Sequence, residues 1–260
     1  MTSTSGTAQD SRGTLGRHAL ILTATVEPST SFKLVVLDPE ARLAQYRESF
    51  TRWRWLADRT GLELLVVENS GVGAAELETV VRGSGGEHHR FVVDTDAAAV
   101  ETEGRGVGEA RLLDAAARVL ASQAWGAGDT VTKVTGRLFV PNLMSVLGPE
   151  PVGIQAGLRS DLAWCDSRCF TLPFSAFETH LASMDEEIDE PREVYLEVVL
   201  ARRLLAAVAA GVPWQGWRRL PRFEGVSGSS GERYEALANR SRRLVHDLAR
   251  RGARIHPLTL

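Results

Sequence analysis

Two basic side chains lie near the end of a short, β-branched stretch in the middle of the chain. Residues 130–135 favour a strand, and Gly136 interrupts it. Lys133 and Arg137 therefore place two cations near one strand terminus, beside the hydroxyl of Thr135. Ligands of α/β proteins bind at the carboxyl ends of strands, two cations suit a diphosphate, and a glycine lets the backbone approach a ligand. An ordinary strand end with solvated basic residues is the alternative.

The composition is that of a soluble globular protein. The chain has 260 residues, of which 43% are hydrophobic and 24% charged, with a net charge of -3, and this balance argues against a general nucleic-acid binder. No apolar run is long enough for a membrane span. Residues 1–17 are rich in Ser, Thr and Gly and lack an apolar centre, so we expect a disordered tail and a cytoplasmic protein. Abundant alanine and arginine favour a bacterial origin.

Strand and helix signals alternate through the first half of the chain. Predicted strands cover 18–26, 62–67, 90–93 and 130–135, and predicted helices cover 39–60, 74–82 and 105–122. This order predicts an α/β fold with a mainly parallel, Rossmann-like sheet and helical crossovers. The second half is mixed, with paired strands at 152–157 and 161–170, a loop at 214–230 and helices at 173–181, 190–209 and 232–251. We expect one domain, 18–260, with a nucleotide-binding half (18–142) and an acceptor half (143–260).

The polar residues that end the first two predicted strands carry a resemblance. Thr25 lies near the end of the first strand, and Glu68-Asn69 follow the second. The order of these features resembles the GT-A glycosyltransferases, in which the first strand ends at the nucleotide base and the second ends in an acidic residue that contacts base or ribose. The resemblance implies that Thr25, Glu68 and Asn69 bind the nucleotide. A polar turn after a strand is the alternative for Glu68.

A glycine-bearing helix start extends the resemblance. Arg105-Gly106-Val-Gly108-Glu109 is similar to the segment of GT-A enzymes that faces the nucleotide-sugar. Glycines at a helix N-terminus expose backbone N–H groups, and the helix dipole favours an anion there. The resemblance implies that Arg105, Gly106, Gly108 and Glu109 contact the donor.

The chain departs from the family pattern where most GT-A enzymes hold a metal ion. Those enzymes carry Asp-x-Asp at the place where this chain has Lys133-Val-Thr-Gly-Arg137, a string similar to one in bacterial polysaccharide glycosyltransferase-like proteins. Lysine and arginine can neutralise a leaving diphosphate without metal, so we expect no metal cofactor. Asp94 and Asp96, one strand earlier, are the alternative site for Mg²⁺ or Mn²⁺, or else a strand-end turn.

Carboxylates of the second half are candidates for the general base. Asp166 and Arg168 lie on a predicted strand, where they could contact a substrate or form a structural pair. Inverting GT-A enzymes take their base from an acidic residue at a helix start in this region, and the resemblance implies Glu193 for that role. Glu197 would share its helix face at four-residue spacing. Most of the acidic run 185–193 reads as a solvated turn.

The expected activity is transfer of a sugar from a nucleotide-sugar donor to a hydroxyl of a small-molecule or glycan acceptor, as in polysaccharide biosynthesis. A sugar nucleotidyltransferase is one alternative, although residues 23–32 lack the glycine-rich, basic loop of that class. A non-catalytic nucleotide- or glycan-binding protein is the other. Arg218, Arg219 and Arg222 precede a Gly/Ser loop that could close over phosphate or act as a linker. Trp214 and Trp217 could stack on an acceptor ring or anchor that loop.

Overall fold

A six-stranded mixed sheet forms the centre of the protein. The computed structural model describes residues 16–29, 34–83, 88–99, 103–149, 151–228, 231 and 233–234. The sheet strands are β1 (His18–Ala24), β2 (Glu63–Glu68), β3 (Arg90–Val93), β4 (Thr130–Thr135), β6 (Gln155–Leu158) and β7 (Cys165–Pro173). They lie in the order β3-β2-β1-β4-β7-β6, and β5 (Leu138–Phe139) pairs with β8 (Glu224–Gly225) in a separate two-stranded sheet. The first four strands are parallel, while β7 pairs antiparallel with both of its neighbours, β4 and β6, which confirms the predicted α/β class.

Six α-helices cover the two faces of the sheet in the described part of the chain. They are α1 (Pro39–Thr60), α2 (Ala74–Arg82), α3 (Arg105–Ala121), α4 (Leu143–Leu147), α5 (Phe174–His180) and α6 (Leu196–Ala209). Short 3₁₀ turns cover Thr95–Ala97, Met184–Glu187 and Glu190–Arg192. None of the helices described has the length and apolar character needed to cross a membrane.

Helix α1 has the boundaries that its sequence predicts. The side chain of Asp38 accepts hydrogen bonds from the backbone N–H groups of Glu40 and Ala41, and proline occupies the first helical position. Gly61 ends the helix at φ 74°, a conformation that glycine adopts without strain. The buried face of α1 includes Trp53, whose indole donates to the backbone oxygen of Leu138 at 2.7 Å. This bond ties α1 to the segment that follows β4.

The sheet is buried on both faces. Alternate residues of β1 enter different core clusters, because neighbouring side chains of a strand point to opposite faces. Leu20 and Leu22 pack with the α1 side, whereas Ala19 and Ile21 pack with the α3 and α6 side. A strand buried on both faces reads as a continuous apolar run, which explains the residues 19–22 of the sequence.

The chain changes direction across the sheet between β1 and β4. From β1 it proceeds through α1 and α2 to β2 and β3 on one side, then crosses through α3 to β4 on the other side of β1. Strands β1 and β4 are paired in parallel, with Thr23 opposite Thr135 near their carboxyl ends. Ligands of open α/β sheets bind at such a reversal of strand order, so this edge is where the site is expected.

Several predicted boundaries are wrong. Helix α6 begins at Leu196 rather than at residue 190, because a tight turn precedes it in which Glu193 has φ 63°. Strand β7 begins at Cys165, four residues later than predicted, and the predicted loop 214–230 contributes β8. Arg17, assigned to the tail, bonds through its backbone N–H to Asp129 at 2.8 Å. Within the predicted helix 232–251 the structure describes Arg233, in a β-bridge to Val226, and Tyr234, in a turn, so no helix begins there. The rest of that range and residues 1–15 lie outside the described residues.

Candidate functional site

A cavity of about 1620 Å³ lies at the carboxyl ends of β1 and β4. Its walls also include the start of α3, one face of α6, the β6–β7 hairpin and residues 214–228, which we call the rim segment. The cavity therefore occupies the point where the strand order reverses. Ten of the fourteen site residues predicted from the sequence line it: Thr25, Asn69, Arg105, Gly106, Gly108, Glu109, Thr135, Arg137, Asp166 and Arg168.

Positive charge dominates the lining. Eight arginines and four carboxylates contribute to it. Cations in excess within a partly enclosed space attract and hold anionic ligands. The arginines are Arg42, Arg105, Arg137, Arg159, Arg168, Arg218, Arg219 and Arg222, and the carboxylates are Glu109, Asp166, Glu190 and Glu197.

Lys133 belongs to a buried ion pair beneath the cavity. Its side chain is 1% exposed, and its ammonium group forms a salt bridge with Glu109. The same nitrogen donates to the backbone oxygen of Ser167 at 2.6 Å and to the hydroxyl of Thr135 at 3.2 Å. Thr23 donates its hydroxyl to Glu109 at 2.8 Å. We call these five residues the cavity floor. Lys133 does not line the cavity, because its donors are directed to these partners.

The floor keeps Glu109 ionised. Burial opposes the charged carboxylate, but the charge of Lys133 and the hydrogen bonds from Lys133 and Thr23 outweigh that effect and lower the pKa of Glu109. Glu109 is one of the residues that line the cavity. It therefore presents an ionised acceptor to a ligand, while its charge is neutralised from below by Lys133.

Arg137, two residues beyond the end of β4, has a different environment. Its guanidinium lines the cavity, donates to the backbone oxygen of Val226 at 3.3 Å and lies 6.0 Å from the ring centre of Tyr46. Neither contact neutralises its charge. By contrast, Arg42 is 3% exposed and its guanidinium donates to the backbone oxygens of the loop after β1. Arg42 supports that loop, and Arg137 remains the cation of this strand end that faces the cavity.

Gly136 serves packing rather than ligand approach. A Cβ atom at this position would come within 2.5 Å of the backbone oxygen of Thr23 and 3.1 Å of the ring of Phe50. The backbone N–H of Gly136 donates to the same Thr23 oxygen at 2.9 Å. A side chain is therefore excluded by β1 and α1, and Gly136 does not line the cavity.

The two polar residues at the end of β2, Glu68 and Asn69, have different roles. Glu68 is fully buried, and its carboxylate accepts backbone N–H bonds from Val26 at 3.0 Å, Ser70 at 2.9 Å and Gly71 at 2.6 Å. These bonds hold the loops after β1 and β2 together, so the structure does not bring Glu68 to the cavity. Asn69 lines it instead, and its side-chain oxygen accepts the hydroxyl of Thr25 at 2.7 Å.

A carboxylate already occupies the N-terminus of α3. The backbone N–H of Gly106 donates to Glu190 at 2.8 Å. A Cβ atom at Gly104 or Gly106 would come within 2.5 Å or 2.6 Å of that carboxylate, so both glycines make room for it. Gly108 instead packs against Ala99. The anion predicted at this helix start is thus supplied from within the chain, while Arg105 is exposed beside it.

Besides Glu190, two carboxylates from the second half of the chain line the cavity. Asp166 binds Arg168 through both oxygens, at 2.8 Å and 2.5 Å, and Arg168 lies 4.4 Å from the ring centre of Phe223. Glu197, in the first turn of α6, accepts the hydroxyl of Ser167 at 2.9 Å. Glu193 is exposed in the turn before α6 and lies outside the lining, because the predicted helix does not extend back to it.

The predicted alternative metal ligands lie away from the cavity. Asp94 forms a salt bridge with Arg118 at 2.8 Å, and Asp96 is exposed on the 3₁₀ turn. Neither residue lines the cavity. Among the residues that the structure describes, no three His, Cys, Asp or Glu side chains form a group that could hold a metal ion.

Sequence reasoning missed the supporting role of three residues. The sequence pattern places Glu190 in a solvated acidic run and assigns no role to Arg42 or Ser167. Their contacts span 84 residues between Glu190 and Gly106, 30 between Ser167 and Glu197, and 16 between Arg42 and Val26. No local pattern reports such contacts.

Comparison with known proteins yields distant likenesses of fold. A protein of Desulfovibrio desulfuricans assigned as a nucleotide-diphospho-sugar transferase aligns with 74% of this chain and 77% of its own, at 13% identity and a TM-score of 0.43. A 4-diphosphocytidyl-2C-methyl-D-erythritol synthase aligns with 90% of this chain and 99% of its own, at 12% identity and a TM-score of 0.41. The corresponding synthase of Anaerococcus prevotii aligns with 89% of this chain and 99% of its own, at 8% identity and a TM-score of 0.39.

No protein-family model and no curated protein sequence matches the chain at a significant level. The identities and TM-scores of the solved structures are too low to carry an argument about activity. The functional argument therefore rests on the cavity and its charges.

Proposed function

We propose that this protein is a nucleotide-sugar-dependent glycosyltransferase. The observation that carries the proposal is the position and charge of the cavity: it lies where the strand order reverses, and its lining holds eight arginines and only four carboxylates. A nucleotide-sugar carries its negative charge on a diphosphate between two neutral polar groups. An arginine-rich cavity with hydroxyl and amide side chains at one end suits that distribution.

The donor is proposed to bind across the ends of β1, β2 and β4. Thr25 and Asn69 offer a hydroxyl and an amide to the base or ribose. Arg137 would hold the diphosphate, since its guanidinium can bind two phosphate oxygens and stays charged at any working pH. As the bond between the anomeric carbon and the diphosphate oxygen breaks, its electron pair moves to the diphosphate, and the guanidinium stabilises that charge without a metal ion.

Glu197 is proposed as the general base. A base must reach the acceptor hydroxyl from the cavity wall, and Glu197 lines the cavity whereas Glu193 does not. Asp166 also lines it, but both its oxygens already accept hydrogen bonds from Arg168, which leaves them less accessible to an acceptor hydroxyl. In the proposed step Glu197 takes the hydroxyl proton while the oxygen attacks the anomeric carbon. Asp166 and Arg168 would position a substrate.

A donor screen tests the class of reaction. The purified protein is incubated with UDP-, TDP- and GDP-sugars, and release of the nucleoside diphosphate is measured with and without EDTA. A glycosyltransferase hydrolyses its donor slowly in the absence of acceptor. A parallel incubation with nucleoside triphosphates and sugar 1-phosphates, scored by release of pyrophosphate, detects a nucleotidyltransferase. Tight nucleotide binding with neither release would support a non-catalytic binding protein and contradict the proposal.

A matched pair of variants tests the base. Glu197→Gln is expected to lower turnover by roughly 10²–10⁴-fold with donor affinity unchanged, because a base acts in the transition state. Glu193→Gln, four residues away and outside the cavity, is the control and is expected to retain full activity. Normal turnover of Glu197→Gln with loss in Glu193→Gln or Asp166→Asn would assign the base to another carboxylate.

A further inference from the structure

The rim segment holds a defined position against the cavity wall. Its strand β8 pairs with β5, and its backbone is bound twice by Asn142, whose side chain donates to Leu220 at 3.0 Å and accepts from Arg222 at 2.9 Å. At its start, the backbone N–H of Gln215 donates to Ile154 at 2.9 Å. These contacts fix the segment by its backbone and do not engage the guanidinium groups of Arg218, Arg219 and Arg222.

Three cations of the rim segment lack an anionic partner. Arg218, Arg219 and Arg222 are exposed, line the cavity and have no side-chain hydrogen bond or ion pair among the described residues. The paired arginines of the lining behave differently, since Arg159 and Arg168 each bind a neighbouring carboxylate. Three like charges within five positions repel one another, and a bound anion relieves that repulsion.

An apolar end of the cavity lies beside the same segment. Leu158, Val208 and Trp214 line the cavity and pack against one core cluster. Leu205 and Leu162 also line it, and Leu162 remains 51% exposed. Because α6 rises about 1.5 Å per residue, this wall extends roughly 16 Å from Glu197 to Val208. Val208 and the nearby Trp214 are therefore far enough from the proposed base to hold the body of a second ligand, whereas Leu158, paired with Cys165, lies on the side of Glu197.

The size of the cavity leaves room for that ligand. Its volume of about 1620 Å³ exceeds the range of roughly 300–1,000 Å³ that is common for single-ligand pockets. The floor, the ends of β1 and β2 and residues 226–228 form one part, and residues 214–222 with the end of α6 form another. Each part has its own cations, Arg137 in the first and Arg218, Arg219 and Arg222 in the second.

We propose that the second part binds an acceptor that joins an anionic group, such as a phosphate, to an apolar body. The anionic group would contact the three rim arginines, and the apolar body would lie against Trp214 and the end of α6. That this ligand is the acceptor rests on the proposed glycosyltransferase function. The existence of the binding site does not depend on that function. Both an alkyl phosphate and an aryl phosphate combine a phosphate with an apolar body. In the first a chain would pack on Trp214, and in the second a ring.

Calorimetry with simple probes tests the site without knowing the natural acceptor. Octyl phosphate, below its micelle concentration, carries both features, whereas inorganic phosphate and octyl glucoside each carry one. We expect octyl phosphate to bind at least tenfold more tightly than either control compound, and to bind equally well when UDP, TDP or GDP is present. Tighter binding of phenyl phosphate than of octyl phosphate would identify a ring-bearing body, and the reverse a chain; both outcomes support the site.

Two triple variants with the same change in net charge supply the control. Replacing Arg218, Arg219 and Arg222 by Gln should weaken octyl phosphate binding by roughly 10–100-fold, as charge-assisted contacts are lost. Replacing Arg47, Arg59 and Arg82 by Gln, all exposed and outside the cavity, should leave it unchanged. Equal affinity in the two triples, or competition of octyl phosphate with the nucleoside diphosphate, would overturn the proposal. If octyl phosphate binds but none of the three nucleoside diphosphates binds, the donor assignment is contradicted while the second site is supported.

Discussion

The floor and the rim segment of the cavity both carry cations, but they use them in opposite ways. In the floor, Lys133 is 1% exposed and bonded to Glu109, Thr135 and Ser167. In the rim segment, Arg218, Arg219 and Arg222 are exposed and have no side-chain partner among the described residues. A buried charge must be paired because it has lost its hydration, whereas water solvates an exposed charge and leaves it available to a ligand.

This difference separates residues that build the site from residues that bind. The floor charges hold β1, β4, α3 and β7 in register, and their removal should be detected as a loss of stability. The rim charges contribute little to the fold and should be detected through ligands. Arg137 lies between the two cases, since it adjoins the floor yet faces the cavity.

The largest effect is expected from breaking the floor pair. Lys133→Met leaves Glu109 without its counter-ion in a largely buried place, so the free energy of unfolding should fall by about 3–5 kcal/mol. Chemical denaturation measures this change. The double variant with Glu109→Gln should recover part of it, because no unpaired charge remains. Arg219→Met, which removes a rim cation, is the control and should change stability by less than about 0.5 kcal/mol. Equal effects at the two positions would abolish the distinction.

Glu68→Ala should also act on the fold rather than on ligand binding. The carboxylate accepts several backbone N–H bonds in a fully buried place, and hydrogen bonds to charged groups are each worth about 1.5–3 kcal/mol. We expect unfolding free energy to fall by about 3 kcal/mol. Glu76→Ala on exposed α2 is the control, since it loses only a surface pair with Arg47. A stable Glu68→Ala variant with weakened nucleotide affinity would return Glu68 to the binding site.

Arg137→Ala should show the reverse pattern. Its guanidinium makes one long backbone contact at 3.3 Å, so the fold should lose little when it is removed. Nucleoside diphosphate affinity should fall by roughly 10–100-fold, which corresponds to about 1.5–3 kcal/mol for a charged contact. Arg137→Lys should rescue only part, because lysine keeps the charge and loses the bidentate geometry. Calorimetry in EDTA measures both variants. If nucleoside diphosphate binding requires Mn²⁺ and is unchanged in the Arg137 variants, the metal-independent interpretation is contradicted.

A pH-dependent effect is expected at His18, at the amino-terminal end of β1 and away from the cavity. Burial lowers the pKa of its imidazole from 6.5 to about 4, and its ring bonds the hydroxyl of Thr132 at 2.7 Å. Between these pH values the unfolded chain binds the extra proton, so stability should fall as the pH drops from about 6.5 to 4. His18→Gln should reduce this dependence in denaturation experiments at pH 7 and 5, with nucleotide affinity unchanged. An unaltered pH dependence would mean that other groups cause it.

The fold was largely predictable because its signals are local. The cap at Asp38, the proline after it and Gly61 mark both ends of α1 within a few residues of sequence. The apolar runs of β1 and β2 likewise report burial on both faces. The start of α6 was not predictable in this way, because the acidic residues before it also suit a helix start, and the turn at Glu193 depends on contacts between residues 189 and 194.

The sequence by itself determined the succession of strands and helices and the presence of cations near the end of β4. The tertiary structure decided which of these cations faces a ligand. Lys133 and Arg137 are four residues apart and carry the same charge, yet Lys133 meets Glu109 from α3 and Ser167 from β7, while Arg137 lies beyond the strand end. The physical reason is that pairing and burial arise from contacts between distant segments, and a local sequence pattern contains no record of them.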